Sequence, residues 1–518
     1  MDHHHVALSG RLVHLEVALN MKLLQDQHIL ILGLGDSGLA MSRWCVLQGA
    51  RVTVVDTREK PPGLQKLQEE KLQAEFVHSA FEAALLEGND MRAVFKSPGL
   101  SPAEVASVWQ AAQAKGLWCG TELTLFAHAL EQLKNSEASY QPKVLAITGT
   151  NGKTTVTRLT GLLLERTGMK VAVAGNIGPT LLDTLTQRLD DLPQVWVLEL
   201  SSFQLDGVNN FEATAACVLN LTQDHLDWHG DMSAYGKAKA NIFGLHATGV
   251  LPRHDAAVMA LWPADSGRKK EIPRARIHFG ADLPQHPGDL GLSTDNGMTW
   301  LVRALPSEDS GGKRGRAVEE ELQIQRLMPA DALRIRGQHN ALNALAALAL
   351  AGTCNANLAQ MLHGLREYTG EPHRLSSVAV LNDIEYFDDS KGTNVGATVA
   401  AVNSLGAERK LVVILGGDGK GQDFSPLGDP LKRHARAVVL IGRDAFLLAD
   451  TLKVHGLQTQ HANDMAEAVE LAARAAHTGD AVLLSPACAS LDMYANYVAR
   501  AQAFVQAVQE LAMLEGQA

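Results

Sequence analysis

A glycine-containing loop between an apolar run and a helical pattern constrains this chain more than any other stretch. Residues 144–147 are apolar with β-branched ends, which predicts a buried strand, and residues from 156 onward have helical apolar spacing. Between them, Gly149 and Gly152 let the backbone approach anionic oxygens at the N-terminus of the helix. This order of elements predicts a phosphate-binding loop rather than a chance turn.

The side chains that follow the second glycine are those that a nucleoside triphosphate requires. Lys153 is predicted to reach the β- and γ-phosphates, and the Thr154 hydroxyl is predicted to bind Mg²⁺. One departure is the spacing, since only two residues separate Gly149 from Gly152 where the general pattern has four. We nevertheless expect a nucleoside triphosphate site here.

The composition of the chain excludes several classes of protein. Its 518 residues correspond to about three domains, and 46% apolar content is ample for globular cores. A net charge of −11 without a long basic run argues against nucleic-acid or membrane-surface binding. Five widely spaced cysteines without a C-x-x-C pair indicate a reducing cytoplasm, with neither a disulfide framework nor a zinc site. No apolar run reaches the ~18 residues of a membrane span, and no signal peptide is evident.

The N-terminal part has the pattern of a βαβ nucleotide-binding unit. A predicted strand leads into Gly33-Leu-Gly-Asp-Ser-Gly38, a helix over about 38–49, and a second strand that ends at Asp56. On its own this pattern predicts a dinucleotide site, although it does not specify which nucleotide binds. Residues 1–20 are set aside as an uncertain start, and Met21 is an alternative start.

In the central part, polar side chains stand where predicted parallel strands end. Glu199 ends a nearly all-apolar strand, so we expect a metal ligand rather than a carboxylate facing water. His225 follows another strand at the same edge and is expected to be a second ligand, although a lone loop histidine is commonly structural. Tyr235 and Lys239 share one helix face, and by pattern alone they are an exposed pair.

The region 249–335 is the hardest to interpret. Residues 280–316 are expected to be loop-rich, with a hairpin turn at Asp295-Asn-Gly and a mobile surface insertion that includes 307–316. Asn340 and Asn343 lie one turn apart at the start of an apolar helix, where they either cap the helix or bind a ligand.

The C-terminal part alternates strands and helices again. Its predicted strands span 384–388, 410–415, 437–441 and 481–484. Polar clusters follow three of them, and three such clusters at one edge of a parallel sheet predict a binding face. Cys488 lies in the last cluster and is expected to be a small buried residue rather than a nucleophile.

Together these segments resemble the Mur ligases, the ATP-dependent amide-forming enzymes of peptidoglycan synthesis. The resemblance spans about 28–515 and weakens across 250–335, where residues 303–330 form an insertion of unassigned purpose. It is carried by Thr148-Gly-Thr-Asn-Gly-Lys-Thr-Thr, Gly175-Asn-Ile-Gly, Leu198-Glu-Leu-Ser-Ser-Phe-Gln-Leu, Asp224-His-Leu-Asp, Leu342-Asn-Ala-Leu-Ala-Ala-Leu, Asp389-Ser-Lys-Gly-Thr-Asn, Leu415-Gly-Gly-Asp-Gly-Lys and Ser485-Pro-Ala-Cys-Ala-Ser-Leu-Asp.

The resemblance implies an α/β fold of three domains. It implies a Rossmann-like domain at 21–139 that binds the UDP part of a substrate. A central P-loop ATPase-type domain with a parallel sheet is implied at 140–370, and a Rossmann-like domain that binds an amino acid at 371–518.

The resemblance also implies roles for individual residues, with Lys153, His225 and Lys239 as the catalytic set. The residues implied to bind ATP are Gly149, Thr150, Asn151, Gly152, Lys153, Thr154, Thr155, Asn343, Arg374 and Asp389. Those implied to hold Mg²⁺ at two sites are Thr154, Glu199, His225 and a carbamylated Lys239, for which Lys237 is a minor competitor. Those implied to contact the UDP substrate are Asp36, Ser37, Asp56, Thr57, Arg58, Ser97 and Asn176. Those implied to line a D-glutamate pocket are Lys391, Thr393, Lys420, Ser490, Leu491 and Tyr497.

The implied reaction is the ATP-dependent ligation of D-glutamate to UDP-N-acetylmuramoyl-L-alanine through an acyl phosphate. The implied protein is a cytoplasmic monomer without nucleic-acid partners or membrane spans. A nicotinamide-dependent dehydrogenase is one alternative, but it gives the Lys153 loop no function. A non-catalytic nucleotide switch is another, but it leaves the C-terminal polar clusters unexplained. A related ligase for another amino acid is the third, and the Ser490 segment argues against it.

Overall fold

The computed structural model of the chain describes residues 22–264, 273–306, 322–514 and 516. These residues form three sheets in chain order, each combined with helices, so the predicted α/β class with three sheet-bearing regions is confirmed. The alternative start at Met21 and the expected mobile segment at 307–316 lie outside the described residues.

The first sheet is parallel and contains five strands in the order β3-β2-β1-β4-β5. Its strands are β1 (His28–Leu32), β2 (Arg51–Asp56), β3 (Ala74–His78), β4 (Met91–Lys96) and β5 (Trp118–Gly120). Its helices are Asp36–Leu47, Leu64–Glu69, Pro102–Ala114 and Glu122–Asn135, with a 3₁₀ turn at Ala83–Leu86. The loop after β1 lies where the strand order reverses, which is the position at which open α/β sheets bind ligands.

The central sheet contains nine strands in the order β14-β13-β12-β11-β10-β9-β6-β8-β7. Its strands are β6 (Lys143–Thr148), β7 (Val171–Gly175), β8 (Val195–Glu199), β9 (Ala215–Val218), β10 (Thr248–Pro252), β11 (Arg276–Phe279), β12 (Leu290–Asp295), β13 (Met298–Pro306) and β14 (Leu322–Pro329). Its α-helices are Lys153–Arg166, Leu181–Gln187, Ser202–Leu205, Leu226–His229, Met232–Ala240, Ala256–Met259, Gln338–Gly352 and Leu358–Glu367; 3₁₀ turns lie at Asn241–Phe243 and Ala330–Ala332. Because β6 pairs in parallel with β8 and β9, the loops after these three strands meet at one edge.

The third sheet contains six strands in the order β15-β16-β20-β17-β18-β19, parallel except for β15. Its strands are β15 (Ser376–Leu381), β16 (Ile384–Asp388), β17 (Leu411–Gly416), β18 (Ala435–Ile441), β19 (Thr459–His461) and β20 (Ala481–Leu484). Its α-helices are Val395–Gly406, Gly428–His434, Ala445–Val454, Met465–Ala475 and Tyr497–Leu514, with a 3₁₀ turn at Ser425–Leu427. The three polar clusters follow β16, β17 and β20, which are neighbours, so the prediction that they share one edge is confirmed.

The expectation of a loop-rich segment at 280–316 is wrong for the part that forms β12 and β13. These strands pair antiparallel with Asp295 opposite Met298, which confirms the hairpin turn. Asn296 and Gly297 have φ values of 49° and 78°, the left-handed conformations that a tight hairpin turn needs. The described ends of the 303–330 insertion continue this ladder as β13 and β14.

The first and central regions share a hydrophobic core, whereas the third region has cores of its own. The largest core joins residues of the first and central sheets, and within it Phe126 packs edge-to-face on Trp196 with centroids 5.1 Å apart. The two cores of the third sheet contain only residues between 375 and 512. The first and central regions therefore share apolar packing, whereas the third buries its own.

Among the residues with described structure, no helix combines the length and apolarity that a bilayer crossing requires. The five cysteines are unpaired. Cys488 is fully buried and burial raises the pKa of its thiol to about 12, which confirms the expectation of a buried residue and opposes nucleophilic chemistry.

Candidate active site

The loop after β6 has the backbone geometry of an anion cradle. Gly149 and Gly152 have φ values of 148° and 84°, which side chains rarely adopt, and Gly152 directly precedes the helix Lys153–Arg166. A Cβ at Gly152 would lie 2.7 Å from Oδ1 of Asn343, so only glycine allows these two segments to approach so closely.

Lys153 folds back over this loop. Its Nζ donates hydrogen bonds to the carbonyl oxygens of Gly149 and Thr150, each at 2.9 Å. Burial lowers the pKa of its ammonium, opposed by the nearby Glu199 and Asp224 carboxylates. The phosphate oxygens of a bound nucleotide would be stronger, anionic partners for this ammonium group than the two carbonyl oxygens.

Glu199, at the end of β8, is only 1% exposed, so the alternative of a carboxylate facing water is wrong. Its Oε1 accepts a hydrogen bond from Nδ2 of Asn176 at 3.1 Å. Its Oε2 is buried and accepts no hydrogen bond from the described part of the chain. A buried carboxylate oxygen without a partner is costly, and a bound cation would satisfy it.

Tyr235 and Lys239 are each 1% exposed, so the alternative of an exposed helix pair is also wrong. Lys239 Nζ lies 4.6 Å from the centre of the Tyr235 ring and donates to the Gly149 carbonyl at 2.9 Å. The Tyr235 hydroxyl is 3.2 Å from the Thr150 hydroxyl. Burial, and next the charge of Lys153, lowers the pKa of Lys239 well below its ordinary value. The competing Lys237 is exposed.

His225 begins the short helix that follows β9 with a φ of 53°. Its ring packs against Phe203 with centroids 4.6 Å apart, and its Nε2 is 3.5 Å from Oδ2 of Asp224. Burial lowers the pKa of His225 to about 4, so the imidazole is neutral near pH 7 and free to act as a ligand.

The donor set fits Mg²⁺ better than a metal that needs a complete protein cage. Within the described ranges, no group of three or more His, Cys, Asp or Glu side chains converges on one point. Mg²⁺ is usually held by one or two carboxylates together with substrate phosphates and water. The unpartnered oxygen of Glu199 and the buried Thr154, which follows the lysine of the loop, satisfy that requirement.

A cavity of about 270 Å³ lies between the phosphate loop and the third sheet, and Asn343, Arg374 and Asp389 line it together with Asn151, Gly152 and Thr155. Asn343 is 9% exposed and lies against the loop. The N-cap residue of the helix Gln338–Gly352, which contains Asn340 and Asn343, is Gly337, and no side chain among the described residues caps this helix. The capping alternative for Asn340 and Asn343 is therefore wrong.

Arg374 and Asp389 of this cavity differ in how their polar atoms are satisfied. The Nε of Arg374 has no hydrogen-bond partner among the described residues. Burial raises the pKa of Asp389 to about 7, opposed by a hydrogen bond of 2.7 Å from Ser485.

The third region contributes two lysines to the phosphate-loop edge. Lys391 Nζ donates to Oγ1 of Thr154 at 3.2 Å and lies 5.9 Å from the centre of the Tyr497 ring. Burial, and next the charge of Arg374, lowers the pKa of Lys391 to about 8. Lys420 Nζ is 3.5 Å from Oδ1 of Asp224.

The other residues implied for D-glutamate have different exposures. Ser490 is 4% exposed and its carbonyl accepts from the backbone N–H of Tyr494 at 2.8 Å. Thr393 is half-buried, whereas Leu491 is 71% exposed.

The residues implied for the UDP substrate gather around the loop after β1. Asp56 accepts from the N–H of Leu34 at 2.8 Å and pairs with the guanidinium of Arg58 at 2.8 Å. Ser97 donates to the Gly33 carbonyl at 3.1 Å, so it closes the glycine loop rather than serving as a simple turn residue.

The remaining members of this group differ in position. Asp36 and Ser37 begin the helix Asp36–Leu47, two residues earlier than predicted, and the Thr57 carbonyl faces the ring of His78 at 3.2 Å. Asn176 lies at the central sheet against Glu199 instead of against the first glycine loop.

Sequence reasoning missed three polar residues of this edge as site residues. Asn220 holds the backbone of Asn151 with two hydrogen bonds of 2.8 and 3.0 Å. Asp224 is 5% exposed between His225 and Lys420, and Asn394 is 3% exposed beside Asn151. All three stand after predicted strands or inside the segments quoted above, and that position is the available signal.

Comparison with known proteins identifies the family. The Mur ligase MurD-like N-terminal domain matches residues 27–119, the Mur ligase middle domain matches 147–274, and the Mur ligase glutamate ligase domain matches 373–488. Two solved Thermotoga maritima structures, UDP-N-acetylmuramate–alanine ligase and MurF ligase with ADP, each superpose with a TM-score of 0.54. The alanine ligase is 19% identical over 93% of this chain and 99% of its own. The MurF ligase is 15% identical over 96% of this chain and 98% of its own. At these identities the two structures support the fold alone.

Curated relatives are much more similar. The UDP-N-acetylmuramoylalanine–D-glutamate ligase of Albidiferax ferrireducens is 61% identical over 96% of this chain and 99% of its own length. The enzymes of the same name from Polaromonas sp. and Burkholderia cenocepacia are 53% and 54% identical, over 96% and 95% of this chain and 100% and 98% of their own. The chain belongs to the Mur ligase family, in the group of the UDP-N-acetylmuramoylalanine–D-glutamate ligases.

Proposed function

We propose that this chain ligates D-glutamate to UDP-N-acetylmuramoyl-L-alanine with cleavage of ATP to ADP and phosphate, as a step in building peptidoglycan precursors. The observation that carries the proposal is the contact between the two halves of the site, in which Lys391 of the third region reaches Thr154 of the phosphate loop at 3.2 Å. This contact brings the nucleotide and amino-acid sides together. The dehydrogenase and switch alternatives are wrong, because the family consists of ATP-dependent ligases.

The reaction proceeds in two displacements. A carboxylate oxygen of UDP-N-acetylmuramoyl-L-alanine attacks the γ-phosphorus of ATP, and the bond from that phosphorus to the bridging β-phosphate oxygen breaks, giving an acyl phosphate and ADP. The amine of D-glutamate then attacks the acyl carbon, loses a proton, and expels inorganic phosphate. Several anions must meet in both steps, so positioning and charge neutralisation are the main requirements.

The phosphate loop meets the first requirement. The backbone N–H groups that begin the helix Lys153–Arg166 face the β- and γ-phosphates, and Lys153 exchanges its two carbonyl partners for phosphate oxygens. Asn343, Arg374 and Asp389 hold the base, phosphate and ribose sides of ATP in the 270 Å³ cavity. The unpartnered Nε of Arg374 supports this role, since an anion would satisfy it.

Mg²⁺ fits at two sites in this proposal, and when bound it neutralises phosphate charge and orients the reacting oxygens. Thr154 and Glu199 hold the first site, which the unpartnered Oε2 of Glu199 supports. His225 and a carbamylated Lys239 hold the second. A lysine must be neutral to react with CO₂, and the lowered pKa of Lys239 supports that step because it favours the neutral amine.

Substrate recognition is divided between the outer regions. Asp36, Ser37, Asp56, Thr57, Arg58, Ser97 and Asn176 bind the UDP substrate in this proposal. Lys391, Thr393, Lys420, Ser490, Leu491 and Tyr497 bind D-glutamate. The domain ranges 21–139, 140–370 and 371–518 stay part of the proposal, as do a monomeric state and a cytoplasmic location.

The test is phosphate release with ATP, Mg²⁺ and UDP-N-acetylmuramoyl-L-alanine, with each amino acid supplied in turn. We expect release with D-glutamate alone. Release with another amino acid would keep the ligase but contradict the assigned pocket. Absence of release with every amino acid would contradict the proposed function.

A further inference from the structure

The third region touches the phosphate loop through a pair of carboxamides. Asn394 donates from Nδ2 to Oδ1 of Asn151 at 3.0 Å, and Asn151 donates from Nδ2 to Oδ1 of Asn394 at 3.1 Å. The exchange of two hydrogen bonds requires the two amide planes to face each other, so the pair forms in one relative position of the two regions.

Both members of the pair are held by their own region. Asn220 accepts from the Asn151 N–H at 2.8 Å and donates to the Asn151 carbonyl at 3.0 Å, which fixes the loop backbone. On the other side, Oδ1 of Asn394 accepts from the N–H of Ala397 at 2.9 Å and so caps the helix Val395–Gly406. Nδ2 of Asn394 also donates to Oδ2 of Asp224 at 3.3 Å, which is a further contact with the central region.

A glycine makes this close approach feasible. A Cβ at Gly396 would lie 2.8 Å from the Thr222 hydroxyl and 3.2 Å from Nδ2 of Asn151. The backbone conformation at position 396 does not require glycine, because the residue lies within a regular helix, where alanine is more favourable than glycine. Its lack of a side chain therefore serves the contact between the regions.

We propose that the Asn151–Asn394 pair, whose close approach Gly396 allows, is a positioning contact that couples the phosphate loop to the amino-acid-binding region. Through this contact, ATP and D-glutamate each strengthen the binding of the other. This inference rests on the proposed function. Asn394 and Gly396 belong to none of the proposed substrate or metal sets. The pair forms only when the third region closes on the loop, and any ligand that favours closure also favours the pair.

The first test is Asn394→Ser. Serine is also a good N-cap, so the helix keeps its cap, but the shorter side chain does not reach Asn151. We expect the KM values for D-glutamate and for ATP both to rise, by about fivefold or more, within the range of measured couplings between sites. The thermal unfolding midpoint should stay near that of the wild type.

Asn357→Ser is the matched control. Asn357 caps the helix Leu358–Glu367 through the Gln360 N–H at 3.1 Å and is exposed. The same chemical change should leave both KM values unchanged. Equal KM increases in both variants would show that a weakened helix cap is the cause and would overturn the inference.

Gly396→Ala is the second test, because it leaves the amides intact and only obstructs their approach. We expect raised KM values for both D-glutamate and ATP without loss of thermal stability. A raised KM for ATP alone would indicate a direct collision with the nucleotide and would overturn the coupling. Wild-type KM values in Asn394→Ser would also overturn it, whereas an inactive wild-type enzyme would instead contradict the proposed function.

Discussion

Asn176 donates a hydrogen bond from its Nδ2 to Oε1 of Glu199 at 3.1 Å. This contact joins a residue proposed for the UDP substrate to a residue proposed for Mg²⁺. The other carboxylate oxygen of Glu199 is buried without a partner among the described residues. Asn176 therefore orients the carboxylate so that its free oxygen is available to a cation, in the way that outer residues commonly orient metal ligands.

We predict that Asn176→Ala raises the Mg²⁺ concentration needed for half-maximal phosphate release by about 10–100-fold, the usual cost of losing such an orienting contact. A titration of activity with Mg²⁺ measures this change. Asn89→Ala is the control, because Asn89 is exposed in the first region and hydrogen-bonds only to backbone groups nearby in the chain, the Leu85 carbonyl and the Met91 N–H, among the described residues. An unchanged Mg²⁺ requirement in Asn176→Ala would contradict the role given to Glu199.

We predict that Lys239→Ala lowers phosphate release by at least about 100-fold, because it removes a group that faces the reacting phosphates. Acetate or formate should restore part of the activity, since a short carboxylate can occupy the space of the carbamate. Lys237→Ala is the matched control from the exposed face of the same helix, and it should retain full activity. The reverse result, with Lys237 essential and Lys239 dispensable, would contradict the assignment.

We predict that Glu122→Gln changes how stability depends on pH. Glu122 is 1% exposed, and burial raises the pKa of its carboxyl to about 7, opposed by hydrogen bonds from the Leu182 N–H and Ser37. Between the ordinary carboxyl pKa and this value the folded chain binds a proton that the unfolded chain has lost. The free energy of unfolding therefore falls as pH rises through this window, on the order of 3 kcal/mol in total.

Urea unfolding at about pH 5 and about pH 8 measures the effect, because the amide of Glu122→Gln does not titrate. The difference in unfolding free energy between the two pH values should be smaller in this variant than in the wild type. Glu131→Gln, an exposed position on the same helix, should behave like the wild type. An identical pH dependence in Glu122→Gln would contradict the buried, protonated carboxyl.

We predict that residues 371–518 fold as a separate fragment, because both of their hydrophobic cores lie between residues 375 and 512. A cooperative thermal transition of the isolated fragment checks this. Residues 21–139 should unfold more easily when isolated, since Phe126 would lose its contact with Trp196 and leave the shared core exposed. A stable N-terminal fragment and an unfolded C-terminal one would contradict these domain boundaries.

Much of the candidate site could be predicted from the sequence because its residues lie close to strand ends. The phosphate loop is local, so Gly149, Gly152 and Lys153 are recognisable from spacing alone. Glu199 could be placed because one carboxylate ends an apolar strand, and parallel pairing then brings it beside the loop.

The rest depends on contacts between distant segments. Tyr235 and Lys239 have the spacing of an exposed pair, and only tertiary packing against the phosphate loop buries them. The Asn151–Asn394 pair joins residues of different sheets, and no local pattern predicts it. The hairpin turn at Asp295-Asn-Gly could be predicted, but the strands β12 and β13 beside it could not, because β12 contains glycine, serine, threonine and aspartate and so resembles a loop in composition.

The most direct test of the central claim follows one oxygen atom. UDP-N-acetylmuramoyl-L-alanine labelled with ¹⁸O in its carboxylate is incubated with ATP, Mg²⁺ and D-glutamate, and the products are analysed by mass spectrometry. Attack of the carboxylate on ATP followed by attack of the amine predicts one ¹⁸O atom in the released phosphate and the other in the new amide of the UDP-linked dipeptide. Unlabelled phosphate, or phosphate release without the dipeptide, would contradict a ligase that acts through an acyl phosphate.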